Sequence, residues 1–183
     1  PRLLIRNVLP HDGAAMHEVK TETWDELCKW MPWTKEGLGT VDDAEKVARQ
    51  NHAKFILRED IMMIALNEEG RLIAMTGLHR FDWTFRRFEI GYWVRTSEMG
   101  KGYATEIANA LTQFAFGALD ARRVEICAAT ENAASRRVIE KLGFDLEYVS
   151  QADALLPDGS VTGHAQYVRY DTKTLPALDV TWS

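Results

Sequence analysis

The stretch Met99-Gly100-Lys101-Gly102-Tyr103-Ala104 constrains this chain more than any other feature. It follows a run of β-forming residues, Phe88 to Arg95, and opens the clearest amphipathic helix in the sequence. In that helix Ala104, Ile107, Ala108, Leu111, Phe114 and Ala118 fall on one face, and Thr105, Glu106, Asn109 and Gln113 on the other. The first amides of a helix lack internal partners, and its aligned dipoles place about half a positive charge there. Without Cβ atoms, the backbone at Gly100 and Gly102 can approach an anion closely, and Lys101 adds a full charge. The segment suits a phosphate or pyrophosphate; a bare tight turn is the other reading. Thr105 stands where the dinucleotide fingerprint wants Gly or Ala, and Gly102 follows Lys101 where a P-loop wants Ser or Thr. NAD chemistry and ATP hydrolysis are both weakened.

Around this segment the elements alternate. Leu3 to Val8 reads as a strand stopped by Pro10 and Asp12-Gly13. Ala14 to Trp30 reads as one helix, broken by Met31-Pro32-Trp33. Thr40 with Asp43 resembles a capping start for a helix running to about Leu57. Asp60 to Asn67 and Arg71 to Phe81 form a hairpin about Glu68-Glu69-Gly70, and Phe88 to Arg95 is a third strand. After the amphipathic helix, Val124, Ile126 and Ala128 alternate with Glu125 and Cys127 as a strand. Asn132 to Lys141 is a short helix closed by Gly143. Strands at about Phe144 to Gln151 and Gly163 to Asp171 flank the turn Pro157-Asp158-Gly159. The order predicts an α/β fold of the α+β type. One mixed, mostly antiparallel sheet of about seven strands carries about four helices on its two faces, with one right-handed parallel crossover.

The 183 residues suit one domain over 1–183, long enough to bury a core without disulfides or metal. With 27 acidic and 22 basic residues the net charge is −5, which disfavours counterion-driven nucleic-acid binding. Cys28 and Cys127 are far apart and lack zinc-ligand spacing, as expected of reduced thiols in a cytoplasmic protein. No apolar stretch approaches the roughly 18 residues of a membrane span. The segment Pro1 to Arg6 lacks the pattern of a signal peptide.

Four segments in order carry a resemblance: Glu89-Ile90-Gly91-Tyr92-Trp93-Val94, Met99 to Glu106, Thr130-Glu131-Asn132-Ala133-Ala134-Ser135, and Lys141-Leu142-Gly143-Phe144. Together they resemble the GNAT superfamily of acetyl-CoA-dependent N-acetyltransferases, within it the branch that acetylates ribosomal-protein N-termini (RimJ/RimL-like). The family's phosphate-loop pattern, [QR]xxGx[GA], falls on Met99, Gly102 and Ala104, with Met99 departing from the usual Gln or Arg. The resemblance implies acetyl-CoA as co-substrate and no metal. Its pyrophosphate would lie on the amides of Gly100, Lys101, Gly102, Tyr103, Ala104 and Thr105, and its pantetheine arm along Trp93 and Val94. A splay between that strand and the one at Val124 would admit the arm. A backbone N–H near Trp93 or Val94 would meet the oxyanion.

Amide formation from a thioester needs a neutral amine, a donor to the oxyanion and a proton for the leaving thiolate. Glu89 is the candidate base, directly or through one water, among neighbours apolar enough to raise its pKa. An ordinary strand glutamate paired with Arg86 or Arg87 is the alternative. Glu98 and Glu106 lie nearer the phosphate end. Within the resemblance, Ser135 is the candidate donor to sulfur and Asn132 a pantetheine ligand; Asn132 also reads as a simple N-cap. Ile139 occupies the place of the family's usual tyrosine acid. Either Arg136 or Arg137 could reach phosphate, although a solvated helix face is the more usual reading of such a pair. His79 and His164 read as structural or surface residues, His79 on a strand that borders the substrate. Trp24, Trp30, Trp33 and Trp83 serve as core or as pocket walls, with Asp25, Glu26 and Glu36 placed to attract a cation.

The function expected is acetyl transfer to a primary amine, either a peptide N-terminus or a small amine, in a protein with dimerisation open by analogy. A non-catalytic acyl-CoA-binding module is the alternative. A nucleic-acid binder built on Arg86, Arg87, Arg122 and Arg123 fits the net charge poorly.

Overall fold

The computed structural model describes residues 2–182, leaving Pro1 and Ser183 outside. The chain runs β1 (Leu4–Asn7), α1 (Gly13–Glu22), α2 (Trp24–Trp30), α3 (Val41–Leu57), β2 (Ile61–Leu66), β3 (Leu72–Asp82) and β4 (Arg87–Val94). It continues through α4 (Tyr103–Ala118), β5 (Arg123–Ala129), α5 (Ala133–Lys141), β6 (Asp145–Val149), β7 (Ala154–Leu155), β8 (Val161–Thr162) and β9 (His164–Arg169). Seven strands make one sheet in the order β1-β2-β3-β4-β5-β9-β6. Only β4 and β5 pair in parallel, across α4, so the expected mixed and mostly antiparallel fold is found. Its helix count is five rather than about four.

The difference lies at Thr23. The expected single helix from Ala14 to Trp30 divides there, and Thr23 (φ −99°, ψ 4°) ends α1 and begins α2. Its side chain is buried and its hydroxyl accepts from the Thr96 N–H at 3.3 Å, a tertiary contact that turns the helix. The second difference is the ribbon β7–β8, which carries the Pro157-Asp158-Gly159 turn away from the sheet. At α3 the capping pattern forms as read. Thr40 Oγ1 accepts from the Asp43 N–H, and the Asp43 carboxylate accepts from the Thr40 N–H.

Two apolar clusters sandwich the sheet. Phe88, Ile90 and Val94 of β4 pack with Ile107, Ala108 and Leu111 of α4 and Ile139 of α5. Val8, Ile64, Leu72 and Met75 pack with Met16 and Val19 of α1 and Ala48 of α3, with Trp93 against them. Alternation along β4 therefore sends Phe88, Ile90 and Tyr92 toward α4 and Glu89, Gly91 and Trp93 to the opposite face.

The exit from β4 is fixed by a buried charge. Arg95 is 1% exposed and donates to Glu18 at 2.9 Å, Glu22 at 2.6 Å and the Leu72 carbonyl at 2.9 Å. Ser97 donates its hydroxyl and its N–H to Glu22 as well; these bonds, followed by the Arg95 charge, hold the Glu22 carboxyl below its usual range. These contacts anchor the segment that leads to Gly100.

Candidate active site

Pairing between β4 and β5 covers Arg87–Arg123, Phe88–Val124 and Glu89–Glu125 and then stops. Beyond Glu89, β4 stays bonded to β3 as far as Val94, while β5 stays bonded to β9 as far as Ala129. The two central strands thus part in a wedge that opens toward the N-terminus of α4. Trp93 and Val94 lie on its β4 side.

At the mouth of α4, Gly100 (φ 76°) and Gly102 (φ 86°) are both left-handed, and a Cβ on Gly100 would meet nothing within 4 Å. Gly102 is the N-cap and no side chain caps the helix, so the amides of Tyr103, Ala104 and Thr105 point outward. This open, uncapped turn fits a pyrophosphate. Lys101 is less free than expected, since its Nζ donates to Glu98 at 2.9 Å. A second cation, unforeseen in the sequence, stands at the same mouth. Arg2 donates to Glu106 at 2.6 Å and to the Lys101 carbonyl at 3.1 Å, and lies 4.4 Å from the Tyr103 ring centroid. It offsets the Glu106 carboxylate in the first turn of α4.

Asn132 is the N-cap of α5: its side-chain oxygen accepts from the Ser135 N–H at 3.0 Å. The same bond fixes Ser135, whose Oγ lies 3.1 Å from the Tyr92 hydroxyl across the wedge. Burial pushes the Tyr92 phenol up to about 12, against the opposing effect of its bond to Ser135. Tyr92 therefore stays protonated at neutral pH, and Ser135–Tyr92 is a hydroxyl pair with a proton to give. The sequence signal for Tyr92 was its place in the Phe88, Ile90, Tyr92 row facing α4. Ile139, at the place of the family's usual tyrosine, is fully buried, and the phenol that meets Ser135 belongs to Tyr92 of β4.

The opposite face carries the charged groups. Glu89 is not in the apolar setting expected of it, and its partner is neither Arg86 nor Arg87. Both its oxygens accept from Arg80 Nη1 at 2.8 Å. A bulge between His79 and Asp82 causes this, with Arg80 left-handed at φ 50° turned toward β4. Arg123 pairs with Glu125 and Glu147 beside them. Arg80, Arg87, Glu89, Arg123, Glu147 and Gln166 are among the residues that line a cavity of about 300 Å³. Burial, followed by the Glu89 charge, pushes the Cys127 thiol up to about 11, so it remains a thiol. Cys28 and Cys127 are both free.

Other candidates are committed elsewhere. Arg136 donates to Tyr167 and the Thr130 carbonyl. Trp24 and Trp33 hold Lys20 at 5.0 and 5.2 Å, so they clasp an internal cation. Trp83 stacks edge-on with Phe81 and Phe88. Among the described residues, no group of three or more His, Cys, Asp or Glu side chains could hold a metal ion. Nor is any described helix long and apolar enough to cross a membrane.

The wedge and the open helix mouth coincide with a family match. Residues 2–145 match the model of the acetyltransferase (GNAT) domain. The chain belongs to the GNAT acetyltransferases. It is an N-acetyltransferase, and its relatives agree. YdaF of Bacillus subtilis (strain 168), named provisionally as a ribosomal N-acetyltransferase, is 31% identical over 157 residues, covering 86% of this chain and 85% of YdaF. The ribosomal-protein-serine acetyltransferase of Escherichia coli (strain K12) is 26% identical over 127 residues, covering 66% of this chain and 70% of its own. Among solved structures, the ribosomal L7/L12 α-N-protein acetyltransferase RimL, in complex with coenzyme A, superposes with a TM-score of 0.86 at 20% identity, covering 92% of this chain and 94% of RimL. At that identity RimL supports the GNAT fold of this chain.

Proposed function

We propose that the protein, acting as one domain over residues 1–183, transfers an acetyl group from acetyl-CoA to a protein N-terminal α-amine by direct attack on the thioester. The observation that carries this is the wedge between β4 and β5, which ends at the uncapped mouth of α4 and is crossed by the Ser135–Tyr92 hydroxyl pair. The amides from Gly100 to Thr105 hold the pyrophosphate, with Arg2 and Lys101 as the nearby cations. The pantetheine arm runs along Trp93 and Val94, and a backbone N–H there meets the oxyanion. Ser135, backed by the buried Tyr92 phenol, gives its proton to the leaving thiolate. Asn132 serves the arm by fixing the turn that presents Ser135.

The amine approaches from the Glu89 face. A carboxylate held on Arg80 makes Glu89 a fixed negative charge for an incoming ammonium. The cavity on this face is lined by side chains from five strands and lies open at the surface, which suits a chain end more than a small amine. The names of YdaF and the Escherichia coli relative point the same way. A panel of N-terminal peptides and small amines, followed by thiol release from acetyl-CoA, tests the assignment. Turnover confined to small amines would replace the acceptor.

A further inference from the structure

The acceptor face holds an imidazole that neither the hydroxyl pair nor the Glu89–Arg80 pair uses. His79 of β3 stands directly opposite Glu89 of β4. Its Nδ1 lies 2.8 and 3.0 Å from the two oxygens of Asp60, in the turn between α3 and β2. A carboxylate only accepts, so the contact assigns the Nδ1 proton to His79 and leaves the lone pair on Nε2. That second nitrogen points over the sheet. A Cβ on Gly77 would stand 2.8 Å from Nε2, and a Cβ on Gly91 would stand 3.2 Å from it. Two glycines side by side on adjacent strands therefore make the floor on which the ring lies. Gly91 is also beyond the last residue of β4 that pairs with β5, so the ring reaches over the edge where the wedge begins. The side chain is 30% exposed and Asp60 is 25% exposed, so the pair is packed in place yet open to an entering group.

We propose that His79 is the general base of the acetyl transfer, with Asp60 as the residue that positions it. This rests on the acetyltransferase function proposed above and names the atom that receives the amine proton. As the N–C bond forms, the amine N–H proton passes to His79 Nε2. The C–S bond breaks with its electron pair on sulfur, which takes the proton of the Ser135–Tyr92 pair. The hydroxyl regains a proton from solvent, and the imidazolium releases one to solvent. The net change is amine plus thioester to amide plus thiol. Proton removal and proton delivery thus sit on opposite faces of the sheet, with the thioester between them. The charged groups facing the imidazole are Asp60, Glu89 and Arg80, and Arg80 is bound to Glu89. Asp60 steadies the imidazolium that forms, much as a carboxylate does in any acid–imidazole pair. Glu89, its oxygens engaged by Arg80, supplies field rather than a basic lone pair.

The test is the pH dependence of kcat/KM with an N-terminal peptide acceptor, followed from about pH 6 to pH 9, for the unaltered protein, His79→Ala and Asp60→Asn. The expected result is a loss of roughly 100-fold for His79→Ala near neutral pH, narrowing as alkaline medium deprotonates the α-amine unaided. Added imidazole restores part of the rate, and coenzyme A affinity holds. Asp60→Asn loses about tenfold and displaces the acid limb of the profile. If His79→Ala folds poorly by thermal melt, His79→Gln keeps a donor to Asp60 and is read in the same way. A His79 variant that retains both the rate and the acid limb overturns the proposal. So does a loss that neither alkaline pH nor imidazole repairs in a variant of unchanged melting temperature. Absence of thiol release by the unaltered protein with every amine overturns the acetyl-transfer function itself, and this inference falls with it.

Discussion

In the proposed site, recognition at the mouth of α4 is built from main chain: left-handed glycines, an uncapped first turn and amides aimed outward. On the acceptor face it is built from side chains that meet only because strands pair. His79 comes from β3, Glu89 from β4, Asp60 from the turn before β2, and Glu147 from β6. The contrast explains how each region responds to change. A main-chain site is tuned by what blocks it, since no single side chain holds the ligand. A side-chain site loses function with each group removed.

Gly102→Asp should separate the two regions most sharply. The new carboxylate would sit in a left-handed N-cap and compete with phosphate for the first amides of α4. Coenzyme A affinity by calorimetry should fall about 100-fold or more, while the acceptor face keeps its structure. Unchanged affinity would mean that the anion lies elsewhere.

Ser135→Ala removes a side-chain donor and should do the reverse. We expect kcat to fall about 30-fold with coenzyme A affinity within about twofold, by rapid-quench and equilibrium titration. A parallel fall in affinity would make Ser135 part of the binding surface.

Tyr92→Phe should lower kcat about tenfold and alter alkaline stability. The folded phenol is raised from 10.0 to about 12, so its share of stability is complete below pH 10 and is lost as pH climbs through about 12. Denaturant melts should show the variant losing less stability over that window, by on the order of 2 kcal/mol. Equal slopes would place the hydroxyl in water.

Lys101→Ala should have the smallest effect. With its ammonium on Glu98, affinity should fall only about two- to threefold, and less at high salt. A tenfold loss would shift weight from main chain to side chain at this end too.

The same contrast governs what could be read from the chain before its structure. The coenzyme end is local: Gly100, Gly102 and the apolar face of α4 lie within one turn-and-helix segment, and their physics is visible in order. The sheet followed from alternation and turns, and the parallel pair from the helix between its strands. Elsewhere the partners are remote. Tyr92 and Ser135 are 43 residues apart, and His79 and Asp60 are 19 apart. Only the folded sheet joins them, and the partner of Glu89 comes from a bulge at Arg80 that no local pattern announces. The strand that carries Glu89 is legible in the sequence, but its neighbour is set by that bulge. The break at Thr23 likewise depends on Thr96, far along the chain.

The early end of the ladder between β4 and β5 has a mechanical consequence. Three residue pairs hinge two half-sheets, β1 to β4 and the trio β5, β9 and β6. A pantetheine arm laid in the gap, as proposed, would act as a replacement rung, bonded to the main chain where a strand would be. Amide hydrogen exchange in the second half-sheet should therefore slow whenever the coenzyme is bound, so the substrate also serves as a strut of the enzyme that consumes it.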